Sequence, residues 1–148
     1  MQKKKYSEIE FLHPDFGTEL AIPFFDATVP AGFPSPAGDY TENKIDLNKY
    51  VIRNPSSTFM VRVKGDSMVD ANISTGDILV VDKSLKAKDG DIVVGILDSE
   101  FTVKTLRKKG KEIMLMPANS KYEPIKVSGD MNFEVWGVVT FTIKQHYK

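Results

Sequence analysis

Cysteine is absent from this chain of 148 residues, and histidine occurs only twice, at His13 and His146. The lack of cysteine excludes a thiol nucleophile and a fold held together by disulfides. Both histidines lie near the ends of the sequence, and neither is beside a serine-containing turn. A Ser-His-acid triad is therefore disfavoured, and a serine nucleophile would need another base.

Net charge and long apolar runs are also missing. The 20 basic and 20 acidic side chains cancel, so no overall field attracts nucleic acid, and no Lys/Arg-rich pattern of a helix-turn-helix appears. No stretch approaches the roughly 18 consecutive apolar residues of a membrane span, and the N-terminus lacks the apolar core of a secretory signal. We therefore expect a cytoplasmic protein that neither reads a DNA sequence directly nor enters a membrane.

Proline is concentrated near the N-terminus, where five of the eight prolines lie between residues 14 and 36. Because proline fixes φ and favours extended geometry in the preceding residue, residues 1–40 are predicted to form a semi-extended arm. The alternative is a disordered tail. Against it, the arm carries more apolar surface than a free tail normally has, at Phe11, Leu12, Phe16, Ile22, Phe24, Phe25 and Phe33.

Residues 41–148 have the pattern of an all-β domain. Short runs of alternating or continuous apolar residues, separated by Gly and Asp turn signals, predict strands at 59–63, 78–81, 92–97, 101–106, 113–116 and 133–143. A short helical turn is predicted at 46–51, with Asp46 as its cap. The predicted fold class is a mostly antiparallel, curled β-sheet domain preceded by an extended N-terminal arm.

Two residues are candidates for a catalytic role. Ser67 lies in Gly65-Asp66-Ser67-Met68 directly after a predicted strand, where a tight turn could aim backbone N–H groups at a reacting carbonyl. Lys104 follows 37 positions later in a strand-like run. To serve as a base near neutral pH, a lysine needs its ordinary pKa of about 10.4 to fall by roughly 2 to 4, which burial in an apolar setting can cause. Taken singly, a turn serine and a solvated strand lysine are the simpler interpretations.

The serine and lysine segments stand in a longer set, 65–68, 76–82, 90–93, 101–104 and 116–120 before Tyr122. In order and spacing this set resembles the LexA/UmuD-type family of Ser/Lys self-cleaving peptidases (S24), and most closely its UmuD group. The resemblance covers roughly residues 30 to 143. It implies a LexA/UmuD-like peptidase fold, a nucleophile at Ser67, a general base at Lys104, and an oxyanion hole from the backbone amides of Asp66 and Ser67. No cofactor or metal is implied.

The family also cleaves its own arm between a small residue and glycine, a pattern that falls here on Ala31-Gly32. Small side chains let the backbone approach a nucleophile closely, and the flanking prolines favour an extended presentation. The alternative is an ordinary loop glycine. Ala31 stands where the UmuD group has Cys and matches the Ala-Gly of LexA-type repressors, whereas residues 1–25 match poorly.

The resemblance further implies a homodimer of the SOS response to DNA damage. In such proteins a RecA–single-stranded DNA filament promotes the cut, and the trimmed form joins a UmuC-like error-prone polymerase subunit in translesion synthesis. One alternative is a non-proteolytic dimeric interaction module with an idle dyad. Another is a LexA- or phage-repressor-type peptidase module, which would need a DNA-reading domain that a Pro-rich arm does not supply. A signal peptidase shares the chemistry, but the missing membrane anchor argues against it.

Overall fold

The computed structural model describes residues 8–12, 21–25 and 42–148. The chain forms two compact units, a small unit of residues 15–53 and a large unit of residues 1–14 and 54–148. The predicted division into an arm at 1–40 and a domain at 41–148 stays a prediction, because most of that arm lies outside the described residues. No helix in the described ranges has the length and apolar character needed to cross a membrane.

The small unit contains a β-hairpin and a short helix. Strand β2 (Ala21–Phe25) pairs antiparallel with β3 (Glu42–Asp46), and α1 (Leu47–Val51) follows at once. The Asp46 carboxylate accepts a hydrogen bond from the Asn48 backbone N–H at 3.0 Å, which satisfies one of the free donors at the helix start. The predicted helical turn and its Asp46 cap are therefore confirmed.

The large unit is one eight-stranded sheet in which every pair of neighbours is antiparallel, in the order β1-β4-β5-β10-β6-β7-β8-β9. All six strands predicted from the sequence are present, so the predicted fold class is confirmed. Two further strands, β1 and β9, were not predicted. The bounds are β1 Ile9–Leu12, β4 Thr58–Val63, β5 Ile78–Asp82, β6 Ile92–Leu97, β7 Glu100–Lys109, β8 Glu112–Met116, β9 Ile125–Lys126 and β10 Phe133–Ile143.

Two clusters of buried side chains cover the sheet. The main core includes Val61, Val94 and Val103, and a second core includes Val93 and Leu106. The adjacent residues Val93 and Val94 enter different clusters because successive side chains of a strand point to opposite faces. The central strands are therefore covered on both sides, which explains why they appear in the sequence as continuous apolar runs.

The loop before β4 is fastened to the end of β5 by Asp82, which is buried. Its carboxylate accepts hydrogen bonds from Asn54, Ser57 and Ser84. Burial raises the pKa of Asp82, but these hydrogen bonds outweigh burial and hold the pKa below its ordinary value. Because the folded pKa is depressed, this contribution to stability is present above the unfolded pKa and is lost as the pH falls through the folded one.

Strand β10 joins the two halves of the sheet and carries an irregularity on each side. Its register shifts between Val139 and Phe141 against β5, and between Val135 and Gly137 against β6. At Gly137 the backbone passes very close to β5, since an added Cβ would lie 2.5 Å from Val81 Cγ1. Val81 is fully buried, so it has little room to move.

We expect Gly137→Ala to destabilise the protein by about 1 to 3 kcal/mol, because the new methyl group overpacks the core. Urea unfolding measures this as a lower midpoint. Gly129→Ala is the matched control, since an added Cβ there meets nothing within 4 Å and its φ is not positive. An unchanged midpoint for Gly137→Ala would show that β10 shifts freely at this point.

Candidate active site

The turn that carries Ser67 leaves β4 through Gly65, whose φ of 114° is a conformation that other residues rarely adopt. The hydroxyl of Thr75 fixes this turn from both sides. It accepts from the Gly65 N–H at 3.0 Å and donates to the Gly65 carbonyl at 2.8 Å. A 3-10 turn, Val69–Ala71, follows. Ser67 therefore occupies a rigid bend at the end of a sheet strand.

A second segment, residues 118–119, clamps the same turn. The Ala118 N–H donates to the Ser67 carbonyl at 2.8 Å, and the Asn119 side chain donates to the Asp66 carbonyl at 2.8 Å. These contacts bring residues 118 and 119 directly against the serine turn. Within the part of the chain that the structure describes, the backbone N–H groups of Asp66 and Ser67 donate no hydrogen bond. Both donors are therefore available to a further acceptor.

Lys104 lies on β7 opposite Val93, and its Nζ is 3.0 Å from Ser67 Oγ. The exposed fractions of the two residues are 4% for Lys104 and 7% for Ser67, so water has little access to either. Met68 and Val103, the neighbours of the two residues, are both buried in the main core. The structure thus brings together, in a buried setting, the serine and the lysine that the sequence singled out.

Two more oxygen atoms lie around the Lys104 amino group. Nζ is 2.8 Å from Thr102 Oγ1 and 3.1 Å from the Val103 carbonyl oxygen. Thr102 lies two residues before Lys104 on the same strand, and the alternation of side chains places both on one face.

Glu8 is the site residue that the sequence interpretation missed. Its carboxylate oxygens lie 3.1 and 3.2 Å from Lys104 Nζ, and one of them also accepts from the Val103 N–H and the Thr102 hydroxyl, each at 3.0 Å. Glu8 is 96 positions from Lys104 and belongs to the segment that matched the family poorly. Neither spacing nor motif could have indicated this contact.

A cleft of about 410 Å³ opens beside Lys104. Its lining includes Glu8, Phe101, Lys104 and Tyr122, but not Ser67. A larger concavity of about 640 Å³ is lined by β7 and β8, but neither Ser67 nor Lys104 borders it. Of these two cavities, the smaller is the one that reaches Lys104.

Tyr122 links this cleft to the serine turn, because its hydroxyl donates a hydrogen bond to the Asp66 carboxylate. That hydrogen bond raises the pKa of Tyr122, with smaller contributions from burial and from the charges of Asp66 and Glu8. Tyr122 therefore stays a neutral donor at physiological pH and restrains Asp66. The predicted cleavage position, Ala31-Gly32, lies outside the described residues.

The chain is similar to known proteins over most of its length. The chain matches the family described as Peptidase S24-like over residues 23–140. Protein SamA of Salmonella typhimurium (strain LT2) is 48% identical over 122 residues, which cover 82% of this chain and 84% of SamA. Protein MucA of Escherichia coli is 43% identical over 127 residues, or 85% and 86% of the two chains. The LexA repressor of Alcanivorax borkumensis is 43% identical over 102 residues, which cover 69% of this chain but only 50% of the repressor.

The fold and these matches define a serine peptidase of the self-cleaving class. The chain belongs to the Peptidase S24-like family, which confirms the resemblance to the LexA/UmuD-type peptidases.

Proposed function

We propose that this protein cuts its own chain between Ala31 and Gly32, with Ser67 as the nucleophile and Lys104 as the general base. The observation that carries the proposal is the 3.0 Å contact between Lys104 Nζ and Ser67 Oγ in a buried setting. A hydroxyl attacks a carbonyl only if a group within hydrogen-bond reach takes its proton. The chain has no cysteine, and the contact puts a lysine where other serine peptidases have a histidine.

The reaction proceeds in two stages. Neutral Lys104 takes the Ser67 proton while Oγ attacks the Ala31 carbonyl carbon. The bond to the Gly32 nitrogen then breaks, Lys104 returns the proton to that nitrogen, and Ala31 is left as an ester on Ser67. Water attacks this ester, again giving a proton to Lys104. The ester bond breaks, and Ser67 recovers its proton and Ala31 leaves as a carboxylic acid.

The backbone N–H groups of Asp66 and Ser67 stabilise the negative oxygen that forms in each stage. Their lack of acceptors among the described residues supports this role, since an oxyanion hole needs donors that are already aimed and unoccupied. The contacts of Thr75 and Asn119 keep the turn rigid, so the donors need no rearrangement during the reaction.

The trimmed product is proposed to serve as a homodimeric, cytoplasmic subunit of an error-prone polymerase in the SOS response, with a RecA–single-stranded DNA filament promoting the cut. Support comes from the resemblance to the UmuD group and from the family match. The second candidate is a non-proteolytic interaction module. One observation favours it: Lys104 is already engaged by the Glu8 carboxylate.

Incubation of the pure protein alone at about pH 10 tests the peptidase proposal. Because the base must be neutral, we expect intact-mass spectrometry to show slow conversion at pH 7 and faster conversion toward pH 10, with one new N-terminus at Gly32. A chain that stays whole throughout this range would favour the interaction module. Cleavage at scattered positions would indicate a contaminating protease instead.

A further inference from the structure

We propose that Glu8 is an inhibitory latch, whose carboxylate holds Lys104 in the ammonium form near neutral pH, so that rapid self-cleavage at that pH requires Glu8 to be displaced. This inference rests on the proposed function and adds a regulating residue to the same site. Its starting point is the ion pair between Glu8 and Lys104, in which the lysine side chain is almost fully buried and the glutamate is about one-third exposed. An opposite charge at this distance favours the charged form of a lysine, and a charged lysine cannot take a proton.

The latch is held in place by its strand. The Glu8 carbonyl accepts a hydrogen bond from the Lys64 N–H, and β1 then pairs with β4 from Ile9 opposite Val63 onward. Ile9 is buried in the main core. The Glu8 carboxylate is therefore delivered by a docked strand and is not a freely moving surface charge.

Aromatic side chains secure the other end of β1. The Phe11 ring packs edge-on against Phe101 at 4.8 Å and against Trp136 at 5.1 Å between ring centroids. Phe101 is also part of the cleft wall beside Lys104. Movement of β1 would thus change the cleft and the charge at Lys104 together.

Other ionisable groups face the same space. Glu100, Tyr122 and Glu123 line the cleft with Lys104, and Asp66 is reached through the Tyr122 hydroxyl. Among the described carboxylates, however, Glu8 is the one that forms an ion pair with Lys104. Removing the Glu8 charge should therefore have a larger effect on Lys104 than removing any of the others.

The position of Glu8 in the sequence also fits a latch. Glu8 precedes the proposed cleavage bond by 23 residues, so the residue that restrains the base belongs to the segment that the base helps to remove. A factor that pulls β1 from the edge of the sheet would remove the carboxylate from Lys104. It would also withdraw the Glu8 side chain from the lining of the cleft.

The test compares Glu8→Gln with Glu10→Gln across pH 6.5 to 10.5, using intact mass to measure the rate of self-cleavage. Glu8→Gln keeps the shape of the side chain but removes its charge. We expect cleavage at pH 7.5 to be about 10- to 100-fold faster than in the parent protein, and the difference to shrink as the pH rises, because high pH favours the neutral amine in both proteins. Glu10→Gln makes the same chemical change in the same strand, at a carboxylate that is 3.8 Å from exposed Lys64, and should match the parent.

Several outcomes would overturn the latch. One is a Glu8→Gln profile that coincides with the parent or falls below it. Another is an acceleration that is equal at every pH, because this would indicate looser packing and not a change of charge. Fluorescence of the single tryptophan, Trp136, checks that β1 remains docked in each variant.

A measurement without cleavage separates this inference from the proposed function. In Ser67→Ala protein, the ¹³C NMR signal of Lys104 Cε reports when the amine loses its proton. Adding Glu8→Gln should move that change to lower pH, and no movement would refute the latch. If the parent protein never cleaves but the signal moves, the proposed function fails and the charge effect stands. If the parent cleaves and the signal does not move, only the latch fails.

Discussion

Replacing Ser67 with Ala should stop self-cleavage, with a loss of roughly 10³-fold or more in rate at every pH. The alanine lacks the oxygen that attacks the Ala31 carbonyl. Among the described residues, the other hydroxyl that contacts Lys104 is that of Thr102, and it already donates to the Glu8 carboxylate. The fold should persist, because the Ser67 backbone contacts to Ala118 do not involve the side chain. Intact mass over several days at pH 10 measures the loss.

Ser128→Ala is a suitable control for this experiment. Ser128 is exposed, and its hydroxyl contacts only Asp130 among the described residues. We expect Ser128→Ala to cleave at the parental rate. If carefully purified Ser67→Ala protein still produces a Gly32 N-terminus, Ser67 is not the nucleophile. The serine turn would then have only a structural role.

Replacing Lys104 with Met should lower the rate by roughly 10²- to 10⁴-fold, the usual contribution of a positioned acid or base. Methionine fills a similar volume but cannot accept the Ser67 proton. The residual rate should also lose the rise between pH 7 and pH 10 that neutral lysine gives the parent. The self-cleavage rate is again measured across the full pH range, because both its size and its dependence on pH identify the base.

Two controls separate chemistry from folding in this variant. Lys126→Met removes an exposed lysine on β9 that lies 3.7 Å from Glu112, and it should leave the profile unchanged. Urea unfolding of Lys104→Met tests whether the now unpaired Glu8 loosens the domain. A Lys104→Met protein that is folded and still accelerates with pH would require a different base.

Local patterns in the sequence predicted most of the large unit. The turn signals and apolar runs defined six strands, and the Asp46 cap defined the start of α1, because these features depend on residues close together in the chain. Strand β1 escaped prediction for the opposite reason. Only Ile9 of its four residues is buried, so its identity as a strand comes from pairing with β4, more than 45 positions away.

The residues of the site also differ in whether the sequence could predict them. Ser67 and Lys104 were predicted because the chemistry needs a serine and a base, and because their motifs resemble a known family. Their separation of 3.0 Å was beyond the reach of periodicity, which places side chains on a face but not beside a partner. Glu8 carries no motif, and its contact with Lys104 exists only because β1 closes the edge of the sheet.

Because β1 is docked on the sheet, cleavage of the Ala31-Gly32 bond and dissociation of the N-terminal segment are two separate events. The strand precedes the Ala31-Gly32 bond in sequence, yet it is hydrogen-bonded to β4 and inserts Ile9 into the main core. Hydrolysis of one peptide bond breaks none of these contacts. A nicked molecule would keep its N-terminal segment as a non-covalently bound peptide. The sheet edge at β4 would become exposed only as fast as that peptide dissociates.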